Sequence, residues 1–339
     1  MRKGWLKTAA LLVIVVFALS GCANKYVTSG KIAMNGKNFE KAIADFNKAL
    51  ENNPNDGEAH YYLAQCYKET EQYDKMLPHV AAAETLYTKQ AKKMEDLRSE
   101  IWNKLFEEGK AKATEEKWEE ARDDFELAIK VLPTRYEAYS NSGYVWQHIG
   151  DNDSAYFYYA KAYEIAPNEL LVMENFASLC YNIKNYDKAE ELYLKILSKD
   201  PKHAGAMGRL GDIYGHKGEF EKAVGYYNQA LEIENDNCAL WFNLGVLYFQ
   251  EIHDNDSAIN AFSRTVDLCP DDINAFINLA VAYISAQRFD EAIEKLSAFV
   301  EERPNDCTGW DLYSQALLRK GMRKEAQEAY KKYEECSGN

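Results

Sequence analysis

The chain has 339 residues, 28% of them charged and 13% aromatic, and a formal net charge of −14 at neutral pH. The composition is globular rather than disordered, and an acidic surface repels phosphate backbones, which argues against nucleic acid as a partner. Length alone suggests about two domains, but an internal repeat overrides that expectation, because repeat arrays grow without one closed core.

Arg2, Lys3 and Lys7 form a basic start, followed by the apolar run Ala9 to Ala18. The run is too short for a comfortable membrane span and suits a signal-peptide core. It ends in Leu19-Ser20-Gly21-Cys22. This resembles the lipobox of bacterial lipoproteins, in which the Cys carries the lipid and becomes the new N-terminus. The resemblance implies removal of residues 1–21 and lipidation of Cys22 with a diacylglyceryl thioether and an N-acyl chain. Several acyl chains anchor stably, since each buried CH₂ contributes about 0.8 kcal/mol. An ordinary secretory signal with a chance Cys is the alternative. Ala23, not Asp, follows the Cys, which leans toward the outer membrane, facing the periplasm, within a bacterial cell envelope.

Further along, Ala42, Ala121, Ala155, Ala189, Ala223, Ala258, Ala292 and Ala326 mark one place in successive copies of a repeat. From Ala121 on, their spacings are 34, 34, 34, 35, 34 and 34. The clearest copy begins at Cys238. It predicts a helix from about Ala239 to Glu251, with Trp241, Leu244, Gly245 and Tyr248 on one stripe. A turn at Asp254-Asn255-Asp256-Ser257 offers N-cap oxygens to a second helix, about Ser257 to Cys269, which Pro270 stops. Ala258, Phe262 and Thr265 form the second stripe.

Period and residue types resemble the tetratricopeptide repeat (TPR). That unit has a large residue at position 4, small ones at 8 and 20, aromatics at 11 and 24, and Pro near 32. Tyr139, Gly143, Trp146, Ala155, Tyr159, Ala162 and Pro167 match it in 136–169, and Phe276, Leu279, Ala280, Tyr283, Ala292 and Pro304 in 273–306. The resemblance implies an all-α fold, a right-handed TPR superhelix or α-solenoid of nine units. These are 23–56, 57–88, 102–135, 136–169, 170–203, 204–237, 238–272, 273–306 and 307–339. Unit 57–88 is the poorest, with Met76 at a small position and Pro78 inside its second helix. Extra residues from about Lys89 to Ile101 keep a helical spacing of Leu86, Met94, Leu97, Ile101 and Leu105, which predicts one long helix running into unit 102–135. The expected organisation is a signal peptide at 1–21, then a lipidated N-terminus with two units and the connecting helix at 22–101, then a seven-unit array at 102–339. A last helix around Lys324 to Cys336 serves as a polar cap.

No G-x-S-x-G, H-E-x-x-H, P-loop, C-x-x-C or dinucleotide fingerprint occurs, so neither an enzyme nor a cofactor or metal site is expected. Gly205, Gly208 and Gly211 read as close helix packing. Asp151-Asn152-Asp153 and Asp254-Asn255-Asp256 read as turns, since the Gly and distal Glu of a calcium loop are missing. At unit position 6 stand Asn141, Asn175, Asn243 and Asn278, with Arg209 between. They resemble the asparagine ladder in the TPR superhelix of O-linked N-acetylglucosamine transferases, which implies that they grip an extended peptide. A carboxamide donates and accepts, matching one peptide unit. Tyr144, Tyr181, Phe242, Phe249 and Ile277 stand nearby to bury partner side chains. The same Asn residues can instead satisfy backbone groups between units. Ser140, Glu174, Gly208 and Phe242 occupy position 5, where carboxylate-clamp co-chaperones need Lys.

Six Cys remain beyond Cys22. Cys238 opens the first helix of its unit and Cys269 closes the second, and antiparallel helices bring those ends together. Cys307 and Cys336 repeat the arrangement. Disulfides Cys238–Cys269 and Cys307–Cys336 are expected in an oxidising compartment, with inert thiols as the alternative. Cys66 and Cys180 are expected as buried thiols. The expected function is a lipid-anchored scaffold binding envelope proteins or an extended peptide. The alternative is a small-molecule or glycan-binding lipoprotein using the groove aromatics.

Overall fold

A computed structural model describes residues 25–338. The expected leader and Cys22 lie outside the described residues. Among those residues, helices alternate with short turns and no strand occurs. They form nine pairs. In order these are α1 (25–35) with α2 (Phe39–Asn52), α3 (Gly57–Glu69) with α4 (Tyr73–Leu86), and α5 (Ala91–Thr114) with α6 (Trp118–Val131). Then come α7 (Tyr136–Ile149) with α8 (Asn152–Ile165), α9 (Leu170–Asn182) with α10 (Tyr186–Lys199), and α11 (Ala204–His216) with α12 (Phe220–Ile233). The last three are α13 (Cys238–Val246) with α14 (Asn255–Leu268), α15 (Ile273–Ser285) with α16 (Phe289–Glu302), and α17 (Cys307–Lys320) with α18 (Arg323–Ser337). No described helix is long and apolar enough to cross a membrane.

One turn design joins every pair. A single residue takes positive φ: Lys37, Glu71, Glu116, Gly150, Lys184, Gly218, His253, Gln287 or Gly321. The next N–H bonds back into the last turn of the first helix, as Asn185 does to Cys180 O at 2.8 Å. In some pairs a side-chain cap also starts the second helix: Asp151 and Asp254 accept from the Ser154 and Ser257 N–H at 3.0 and 3.1 Å. Packing within a pair follows from a small residue set against a ring. A Cβ added at Gly109, Gly143, Gly211 or Gly245 would come within 3.0 Å of the ring of Phe125, Tyr159, Tyr227 or Phe262 respectively. The ring therefore lies against helix backbone, and the residue at position 8 stays small so that it can.

The chain divides into two compact units, residues up to Asn175 and from Phe176 on. In the first, Phe46, Leu63, Met76, Met94, Ile101 and Trp102 form one buried core. Pro78 lies inside α4 without ending it. After a short 3-10 turn at Thr88–Gln90, α5 runs unbroken for 24 residues. Arg98 of α5 holds Glu84 through Nε at 2.8 Å and donates to Val131 O at 3.0 Å. That guanidinium ties the extra helical length to α4 and to the last carbonyl of α6.

In the second unit, Phe262, Leu279, Leu296 and Leu312 are central to the core. One expectation needs correction here. The helix that begins at Cys238 does not run as an α-helix to Glu251: it is α-helical to Val246 and continues as a π turn over Leu247–Ile252. The physical reason is the 35-residue spacing from Ala223 to Ala258, which leaves one residue more than the α-helical register holds. Cys238 and Cys269 are joined by a disulfide with Cα atoms 6.2 Å apart, and Cys307 and Cys336 by one with Cα atoms 5.5 Å apart. Cys66 and Cys180 are free and buried. Burial pushes their thiols up to about 11 and about 12, far from a reactive thiolate.

Candidate functional site

In the second unit, the first helices α9, α11 and α13 line a groove with a volume of about 380 Å³. Three residues singled out from the sequence meet there: Tyr181, Arg209 and Asn243. Arg209 and Asn243 hold the same place in successive repeats, 34 residues apart, and Tyr181 on α9 stands within reach of Arg209. At the floor lies a residue that sequence reasoning passed over, Asp212. Its carboxylate accepts from the buried Tyr227 hydroxyl, from Asn243 Nδ2 at 3.3 Å and from Arg209 Nη1 at 3.4 Å. The Asp212 side chain keeps 13% of its exposure, whereas that of Arg209 keeps 49%. Asp212 is therefore a hub that holds the outer groups, not a contact in its own right.

The remaining geometry fixes Arg209 further. Its guanidinium stands 4.9 Å from the centre of the Tyr181 ring. Tyr181 packs beside Tyr186 and His216, whose rings stack at 4.9 Å. Burial, and then the Asp212 charge, raises the Tyr181 and Tyr227 hydroxyls above their ordinary pKa, so both stay protonated at neutral pH. The groove thus presents a guanidinium and amides from fixed positions. Asp212 and His216 follow Arg209 by three and seven residues, which is one helix face. That spacing was the available sequence signal.

The other expected residues are placed differently. Asn141 Nδ2 donates to Glu137 O at 2.8 Å within its own helix, not to a backbone group of a neighbouring unit. Asn175 Nδ2 reaches Ser140 Oγ at 3.4 Å. Asn278 is half-buried on α15. Tyr144 is exposed beside the His148 ring, 4.4 Å between centres. Phe242, Phe249 and Ile277 are half-buried and pack on the core of their own unit, with Phe242 5.9 Å from the Phe262 ring. Their apolar surface is already covered in part, so they offer less to a partner than the sequence suggested. A second recess, of about 470 Å³, lies in the first unit and is lined by Met34, Tyr61, Met94 and the Lys68–Glu100 ion pair, 2.8 Å apart. None of the expected site residues lines it. Among the described residues, no group of three or more His, Cys, Asp or Glu stands close enough to hold a metal.

Comparison with known proteins agrees with this architecture. Family models described as tetratricopeptide repeat match residues 26–56 and 136–169, 46–77 and 192–225, and 243–306. One described as TPR repeat matches 211–251. The chain is 26% identical over 238 residues to human Protein O-mannosyl-transferase TMTC3, covering 65% of this chain and 26% of that protein. It is 25% identical over 214 residues to the Bos taurus BBSome complex member BBS4, covering 63% of this chain and 41% of that protein. The chain therefore spans well under half the length of these relatives. A tetratricopeptide repeat protein from Parabacteroides merdae superposes with a TM-score of 0.53 at 18% identity, covering 70% of this chain and 93% of that one. The Pseudomonas aeruginosa pilF structure gives 0.50 at 15% identity, covering 62% and 96%. At these identities the structural likeness concerns the fold.

Proposed function

Because the chain carries tetratricopeptide repeats, we propose that it is a non-enzymatic scaffold, which holds an extended segment of a partner protein along the face made by its first helices. The observation that carries this reading is the Arg209–Asp212–Asn243 cluster. There a floor carboxylate spends its acceptor capacity on internal donors and so aims a guanidinium and a carboxamide outward. Fixed donors and acceptors lower the ordering cost of gripping a peptide main chain. The rings beside them stack on each other, with Tyr186 and His216 at an interplanar angle of 14°, which favours this reading over a small molecule or glycan held between aromatic faces.

The lipobox-like Leu19-Ser20-Gly21-Cys22 supports an anchor on Cys22 and a place in a bacterial cell envelope, at the outer membrane and facing the periplasm. There the scaffold would serve assembly of an envelope complex. Photo-crosslinking from position 243 in intact cells tests the groove. The expected result is a crosslinked partner segment that disappears in the Arg209→Ala/Asp212→Leu variant, and an undiminished crosslink removes the groove from the function. The anchor is tested by fractionating a Cys22→Ser variant, which is expected to leave the membrane fraction.

A further inference from the structure

The unit that begins at Cys238 is one residue longer than its neighbours. Ala223 and Ala258 are 35 residues apart, against 34 for every other interval from Ala121 to Ala326. The hydrogen bonds locate the extra residue. In eight of the nine described pairs, the N–H after the positive-φ residue bonds to a carbonyl five residues back, as Glu219 does to Tyr214 and Arg288 to Tyr283, both at 2.9 Å. In this unit Asp254 bonds to Tyr248, six residues back, also at 2.9 Å. The surplus is absorbed in Leu247–Ile252, the one π turn among the described residues.

An extra residue in an exposed loop is nearly free, whereas a π turn replaces the favoured helical geometry and recurs at functional sites. This one borders the groove. It brings Gln250 and Glu251 into the lining beside Tyr181, Arg209, Asp212 and Asn243, and both are exposed. Of the Arg209–Asp212 pair the guanidinium is the exposed member, 49% against 13%, so the charged groups that the groove exposes are the Arg209 guanidinium and the Glu251 carboxylate.

We infer that this one-residue insertion determines specificity: the π turn sets Glu251 into the groove, so that it selects an extended peptide segment bearing one acidic and one basic side chain. The acidic side chain meets Arg209, the basic one meets Glu251, and the Asn243 and Gln250 amides bond the main chain between them. The inference rests on the peptide-groove reading above.

Selection of a random octapeptide display library on the folded protein separates the two. Wild type is expected to enrich segments that carry both charges. Deleting Ile252 restores the 34-residue period of the neighbouring units and is expected to keep the acidic preference while losing the basic one. Glu251→Gln, which leaves the backbone alone, is expected to do the same, and Arg209→Gln the reverse. On a synthetic octapeptide of the selected consensus, replacing its basic residue is expected to weaken wild-type affinity about tenfold and leave both Glu251→Gln and the deletion variant within about twofold. Enrichment with no charge preference, or a basic preference that survives in Glu251→Gln, overturns the inference and leaves the groove reading standing. If wild type enriches no peptide at all, both fall.

Discussion

His79 shows how much of one residue's chemistry is set by what covers it. Its Nδ1 lies 2.8 Å from His60 Nδ1, and its ring stacks on Tyr67 at 5.6 Å. Burial first, and the neighbouring imidazole second, hold its pKa at about 4, below the ordinary 6.5. Between those values the unfolded chain binds a proton that the folded chain does not. The stability tied to neutral His79 is therefore full above about pH 6.5 and is lost as pH falls toward 4. Urea midpoints measured at pH 7, 5.5 and 4 are expected to drop less steeply in His79→Asn than in wild type; parallel slopes would refute this. In the sequence, His79 is one of six scattered His with no ligand spacing, because its partner His60 sits on the preceding helix, 19 residues away. Asp212 was missed for a related reason. A carboxylate in a helix reads as solvated surface until Tyr227 from the following helix is seen to donate to it.

The helix pair is the scale at which the sequence is most readable. Position 8 must be small where position 24 is a ring, and Gly245 with Phe262 shows why: a Cβ on Gly245 would stand 2.7 Å from that ring. Phe262 is fully buried, whereas Phe157 on α8 keeps 54% of its exposure. Phe262→Ala is expected to lower unfolding stability by about 3–5 kcal/mol, the cost of a large core cavity. Phe157→Ala is expected to change it by less than about 0.5 kcal/mol, as for an ordinary surface site. Denaturant unfolding of the two variants side by side checks the contrast, and equal losses would contradict the ring-on-backbone account. Where the expectation for an element failed, at the end of α13, the signal was present as a spacing of 35. A repeat count cannot say whether a surplus residue enters the loop or the helix. That depends on the local backbone bond from Asp254 N–H to Tyr248 O, which the structure shows and the spacing does not.

For the whole molecule, stability in a repeat array is nearly a sum over pairs and their neighbours, so a single pair can open on its own. The Cys307–Cys336 disulfide joins the start of α17 to the end of α18. Loop-entropy reasoning gives each disulfide about 3–4 kcal/mol. Cys307→Ser/Cys336→Ser is expected to lose about that much from this pair, with amide exchange accelerating first in α17 and α18. Unchanged exchange there would show that packing alone holds the pair. The sequence by itself determined the all-helical pairs, their period, the small-against-ring packing and the helix ends at which the cysteines meet, because each depends on residues within one 34-residue repeat. The tertiary structure alone decided which expected groove residues stand together. The meeting of Asn243 with Asp212 and of Arg209 with Tyr181 arises between repeats. There the identity of a neighbour, not the local period, sets where a side chain ends up.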